Sequence, residues 1–162
     1  MYQDAVKDEL KKEEGLLKNI EKELKSEMNQ EDKIRKKIEG IKIDKTDKKQ
    51  EIAQNTAARE SKIKEIQTQK DKLAALPAEE KDAKKAEKGK LKELTKELKG
   101  FKKANKKMSK SVFKMDNNIR DLELERVTSA NLQKTIQTRI NAKNTDIAAV
   151  EKKLYSIDEA RD

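Results

Sequence analysis

Residues 74–80 read Ala74-Ala75-Leu76-Pro77-Ala78-Glu79-Glu80 and hold the only proline of the chain. Proline has no backbone N–H and biases the residue before it away from the α region, so Leu76 closes whatever helix precedes it. A proline followed by acids also opens helices. The N–H it lacks is one the first turn leaves unbonded, and carboxylates suit the positive end of the helix dipole. The stretch predicts a helix over about 3–75, a turn near 76–77 and a second helix over about 77–160.

Outward from this point, both sides carry a seven-residue repeat. Before the proline, one set of positions is Leu10, Leu17, Leu24, Glu31, Ile38, Lys45, Ile52, Arg59, Ile66 and Leu73. Its companion set is Val6, Glu13, Ile20, Glu27, Ile34, Ile41, Lys48, Asn55, Lys62, Gln69 and Leu76. Twelve of these 21 positions are aliphatic, and the four-and-three spacing never skips a residue. After the proline the sets are Leu91, Leu98, Asn105, Val112, Ile119, Arg126, Gln133, Ile140, Ile147, Leu154 and Leu94, Phe101, Met108, Met115, Leu122, Ser129, Ile136, Lys143, Val150, Ile157. Fifteen of these 20 are apolar. A narrow seam that keeps phase this long is the mark of a coiled coil; a disordered chain has no reason to hold it.

The composition fits that class and few others. Of 162 residues 45% are charged, 33% apolar and 2% aromatic, against about 45–50% apolar and about 25% charged in ordinary domains. Cysteine, histidine and tryptophan are absent. The chain therefore lacks thiolates and the imidazole that most often serves as general base or metal ligand. No cofactor, metal site or small-molecule substrate is expected, and catalysis is not. The N-terminal MYQDAVKDEL carries acids where a secretory signal needs a basic and then an apolar region, so synthesis in the cytoplasm is expected, with later incorporation into a particle or machine left open.

The fold expected is a single all-α coiled-coil domain over 1–162: an antiparallel two-helix hairpin open to bundling with copies or partners. Its rival is a parallel dimer in which Pro77 only kinks an extended rod. A proline inside a helix costs about 3 kcal/mol, which favours the reversal. At a rise of about 1.5 Å per residue the hairpin would measure roughly 110 Å and the rod roughly 240 Å.

In an antiparallel pair, facing residues share a constant summed number, and 160 leaves a short tip. Val6 then faces Leu154, Ile20 faces Ile140 and Ile52 faces Met108. Asn55 faces Asn105, a polar pair that would fix register, while Glu27 faces Gln133 and Glu31 faces Ser129. Less comfortable are Lys45 and Lys48 against Met115 and Val112, Lys143 against Leu17, and Glu13 against Ile147. Long basic stems can lie over a seam with their charges in water; Glu13 has no such escape.

Charge is uneven. Residues 1–76 hold 19 basic and 17 acidic side chains, residues 77–162 hold 22 and 15, and the whole chain stands at +9. Lys99, Lys102, Lys103, Lys106, Lys107, Lys110 and Lys114 follow one another with no acid between Glu97 and Asp116. In the hairpin they lie alongside Lys45, Lys48, Lys49, Arg59 and Lys62, diluted by Asp47, Glu51 and Glu60, and Lys45, Lys48 and Lys49 join them in a candidate band for an anionic partner. Arginine is scarce there and aromatics nearly absent, which disfavours base reading and stacking on single strands. Phe113, outside the seam, is a candidate docking anchor. The segment Thr128–Thr145, poorer in charge and with Ser129, Gln133 and Lys143 in its seam, is expected to be a flexible zone or a lateral packing surface.

In architecture alone the chain resembles the hairpin stalks of secretion and rotary machines and the coiled-coil subunits of virions. That resemblance implies a structural or adaptor role with protein partners, the chain itself or a larger assembly. The alternative is non-specific binding of nucleic acid backbones.

Overall fold

A computed structural model describes residues 2–161, of which α1 takes Tyr2–Ala75 and α2 takes Lys81–Arg161. The helices pack against each other as an all-α helical hairpin. All 21 seam positions before the proline and all 20 after it are buried or half-buried, although 14 of them are polar or charged, and most residues between them face solvent.

The reversal takes more chain than the sequence suggests. The Leu76 N–H donates to the Leu73 carbonyl at 3.3 Å, tightening the last turn of α1. The Glu80 N–H donates to the Pro77 carbonyl at 3.2 Å, and the Lys84 N–H to the Glu80 carbonyl at 3.1 Å. Pro77 thus starts a four-residue turn, and Glu80 caps α2, which begins at Lys81 instead of Pro77. Bringing a second helix alongside the first at about 8–10 Å needs a connecting segment, and the residues that read as a first helical turn supply it.

The chain forms two compact units, one of Met1–Glu39 with Arg120–Asp162 and one of Gly40–Ile119. In the first, Val6, Ile20, Ile34, Ile38, Ile136, Ile140, Ile147 and Val150 are buried. Ile20, Ile136 and Ile140 form a cluster on which Leu17 and Leu24 pack. Fully burying each such side chain is worth about 1.5–3 kcal/mol. The segment Thr128–Thr145 is continuous helix and supplies two of those three isoleucines, so it is part of the best-packed stretch of this unit.

In the second unit Ile66 is the one buried hydrophobic residue among those described. Here α2 offers a nearly continuous apolar row from Leu91 to Ile119, interrupted by Asn105. The facing stretch of α1 answers with Lys45, Lys48, Asn55, Arg59, Lys62 and Gln69 among its seam residues.

Candidate functional site

The polar seam residues of the first unit pair across the helices, with partners shifted from those that a constant sum assigns. Ser129 Oγ donates to Glu27 Oε1 at 2.8 Å and Gln133 Nε2 to Glu31 Oε2 at 2.5 Å, the reverse of the expected pairing. Glu13, expected to be stranded against Ile147, takes the Lys143 ammonium at 2.7 Å. In a knobs-into-holes seam each side chain sits between two opposite neighbours, so reach and chemistry choose the partner. The Glu13 carboxylate, helped by Asp146 at 3.6 Å, holds the Lys143 ammonium above the ordinary lysine range.

In the second unit Asn55 Nδ2 donates to Asn105 Oδ1 at 2.7 Å and to the Phe101 carbonyl at 2.8 Å. Asn105 Nδ2 in turn donates to Thr56 Oγ1 at 3.2 Å. The expected pair thus meets inside a four-group network that satisfies amide groups within the seam. A tie that sequence reasoning missed lies nearer the turn. Buried Gln69 donates through Nε2 to the Glu87 carboxylate and, at 3.1 Å, to the Glu87 carbonyl. That bond is the main reason the Glu87 carboxyl sits below its usual range. Extending the second repeat back from Leu91 by one step puts Glu87 in the seam, which is the signal that would have found it.

The lysine band divides. Lys99, Lys102, Lys103, Lys106, Lys107, Lys110 and Lys114 are all exposed on α2, as is Lys49 on α1. Among the described residues none of these eight makes an ion pair. Lys45 and Lys48 are half-buried seam residues already committed, to Asp116 at 2.5 Å and Glu51 at 3.4 Å. Lys62, expected alongside the band, reaches Glu97 at 2.6 Å and Glu65 at 3.0 Å, and these two carboxylates raise its pKa. Phe113 is 65% exposed on the lysine-rich helix.

The folding of the chain into units sharpens the charge asymmetry. Residues 40–119 carry 23 basic and 13 acidic side chains, a net of +10; residues 1–39 with 120–162 carry 18 and 19, a net of −1. All of the excess positive charge is in the second unit.

Among the described residues no helix is long and apolar enough to cross a membrane, and no three His, Cys, Asp or Glu side chains gather to hold a metal ion. Compared with known proteins, the chain matches no family model, no curated protein and no solved structure.

Proposed function

We propose that this chain is a non-enzymatic structural or adaptor element, a coiled-coil hairpin that serves within a larger assembly of the secretion-apparatus or viral-particle type. The observation that carries the reading is how little the hairpin encloses. No large side chain is completely shut from solvent among the described residues. In the first unit Leu16, Met28, Leu124, Val127 and Leu132 remain exposed outside the seam. A seam this thin leaves the helices with outer faces to offer, and docking would add the burial that one seam lacks.

The chemistry of the seam supports the same reading. Most of its charged residues are spent on one another or on flanking partners, among them Glu13 with Lys143, Lys62 with Glu97 and Glu65, and Lys45 with Asp116. These ties hold two helices in register and present no reacting group to a substrate.

The test is the size at which the protein migrates in an extract of its source cell, measured by gradient sedimentation with quantitative detection. An assembly subunit sediments far above its 18.7 kDa mass, at a fixed ratio to its partners. A chain that runs there wholly as a free monomer overturns the proposal. Light scattering on the purified protein then separates self-assembly from a foreign scaffold.

A further inference from the structure

The seam register sorts the solvated residues of the second unit into sides. Positions directly after the second seam residue of each repeat and directly after the first flank the seam on one side, called here the near side. In an antiparallel pair the matching positions of both helices share that side. The contacts agree. Lys45 meets Asp116 and Asn105 meets Thr56 across this edge, whereas Lys62 meets Glu65 and Glu97 across the opposite one.

On the near side of residues 40–119 stand Lys42, Lys49 and Lys70 from α1, with Lys81, Lys85, Lys88, Lys92, Lys99, Lys102 and Lys106 from α2. That makes ten lysines against two acids, Glu60 and Asp116. Asp116 is already bound to Lys45. Every one of the ten is exposed, and among the described residues none has an ion-pair partner. The opposite side holds six acids, Asp44, Asp47, Glu51, Glu65, Glu93 and Glu97, against the four lysines Lys72, Lys90, Lys107 and Lys114. The basic band read from the sequence thus spans more than one side of the hairpin. Lys107 and Lys114 fall on the acidic side, while Lys81, Lys85, Lys88 and Lys92 extend the near side toward the turn.

We propose that this near side is a docking face for the phosphate backbone of double-stranded nucleic acid, bound without sequence preference. Charge complementarity selects the occupant. A second copy could offer only its acidic side, a net of −2 against a net of +8, which leaves most of the face unneutralised. A membrane surface would call for a continuous apolar face beneath the lysines. Among the described residues the near side exposes only Ile63 and Phe113 as large apolar side chains, while the apolar row of α2 is turned into the seam. Duplex backbone supplies one negative charge per about 1.7 Å of axis and demands no apolar contact. From Lys81 to Lys106 the helix rises about 37 Å, close to one duplex turn of about 34–36 Å. Lysine without arginine or stacking aromatics holds phosphates but reads no bases.

The experiment is fluorescence anisotropy with a 30-bp DNA duplex of arbitrary sequence, repeated with the RNA duplex, between 50 and 200 mM KCl. With four to six lysines engaged, affinity falls about 10²- to 10³-fold over that range, and linearly on logarithmic axes. Lys92, Lys99, Lys102 and Lys106 changed together to Gln should weaken binding at 50 mM at least about 30-fold and flatten the salt slope by about 3. The same four changed to Arg should retain both. Lys72, Lys90, Lys107 and Lys114 changed to Gln remove equal charge from the other side and should cost less than about 3-fold. All substituted positions are exposed and Gln is a good helix former, so circular dichroism should match the parent for each variant. Equal losses from the two quadruple variants, no duplex binding at 50 mM, or capture of phosphatidylserine vesicles in preference to either duplex each overturns the proposal. So does self-association that the near-side Gln variant abolishes while duplex binding is unchanged.

Discussion

The two units solve one packing problem with opposite materials. In residues 1–39 with 120–162, isoleucines and valines from both helices fill the seam, and its polar members pair with polar members across it. In residues 40–119, α2 brings an almost wholly apolar row while α1 intersperses Ile41, Ile52, Ile66 and Leu73 with lysines, an arginine and amides, so charged stems cover part of the seam. The first unit is nearly neutral and the second carries a net of +10. The difference teaches that a continuous repeat does not imply a uniform coil: the same spacing encodes burial in one place and a charged solvent surface in another.

The contrast can be broken most directly by cavities. Ile136→Ala removes a residue 4% exposed from the isoleucine cluster and should cost about 3 kcal/mol. Ile52→Ala, at a half-buried seam position of the second unit, should cost about 1 kcal/mol because water already reaches the gap. Urea denaturation measures both, and equal losses would show that the units are packed alike.

Next in size is the amide network. Asn55→Ala strands the Asn105 amide and should destabilise by about 1–2 kcal/mol. Asn55→Leu with Asn105→Leu should instead raise the urea midpoint while loosening register. Spin labels at exposed sites of the second unit would report a broadened distance distribution. An unchanged distribution means that the amides do not set the register.

Helix propensity gives a smaller handle. An added Cβ meets nothing within 4 Å at Gly89 or Gly100. Replacing either with Ala should stabilise by up to about 1 kcal/mol, read as slower amide exchange around that position. The same gain appearing at distant amides of the first unit would show that the units open together.

The smallest effects follow pH, and their signs differ. The Glu87 pKa is lowered, so the Gln69–Glu87 tie contributes above the ordinary glutamate value and is lost as pH falls through the depressed one. The Lys143 pKa is raised, so the Glu13–Lys143 tie is intact below the ordinary lysine value and is lost as pH rises through the elevated one. Protection from amide exchange, relative to intrinsic rates, should therefore fall near residue 87 only below the ordinary glutamate range, and near residue 143 as pH rises above the ordinary lysine range. Loosening near residue 87 at a pH still above the ordinary glutamate range would contradict this reading.

The seam was legible in the sequence because each of its positions obeys one spacing, and the hairpin because one proline sits where the spacing changes phase. The Asn55–Asn105 meeting followed from the same arithmetic. What the arithmetic missed is chemistry between neighbours. It assigned Glu27 to Gln133 and left Glu13 alone, since a summed number cannot say which of two opposite side chains a flexible carboxylate will reach. Reading Pro77 as the first residue of α2 failed for a related reason: local propensity favours a helix there, and the reversal overrides it. The lysines were visible as a run along the chain, but a run crosses several helix faces, and only the register separates the near side from the far one.

The turn at Pro77–Glu80 also fixes an order of events during folding. Gln69 and Glu87 are 18 residues apart in the chain, Glu13 and Lys143 are 130. Closing the longer loop first would cost about 1.7 kcal/mol more in chain entropy. Zipping is therefore expected to start beside the turn, in the poorly packed unit, and to reach the isoleucine cluster later. On this order the weaker seam nucleates the stronger, and changes near Gln69 should slow refolding by nearly the whole stability they remove while leaving unfolding unchanged.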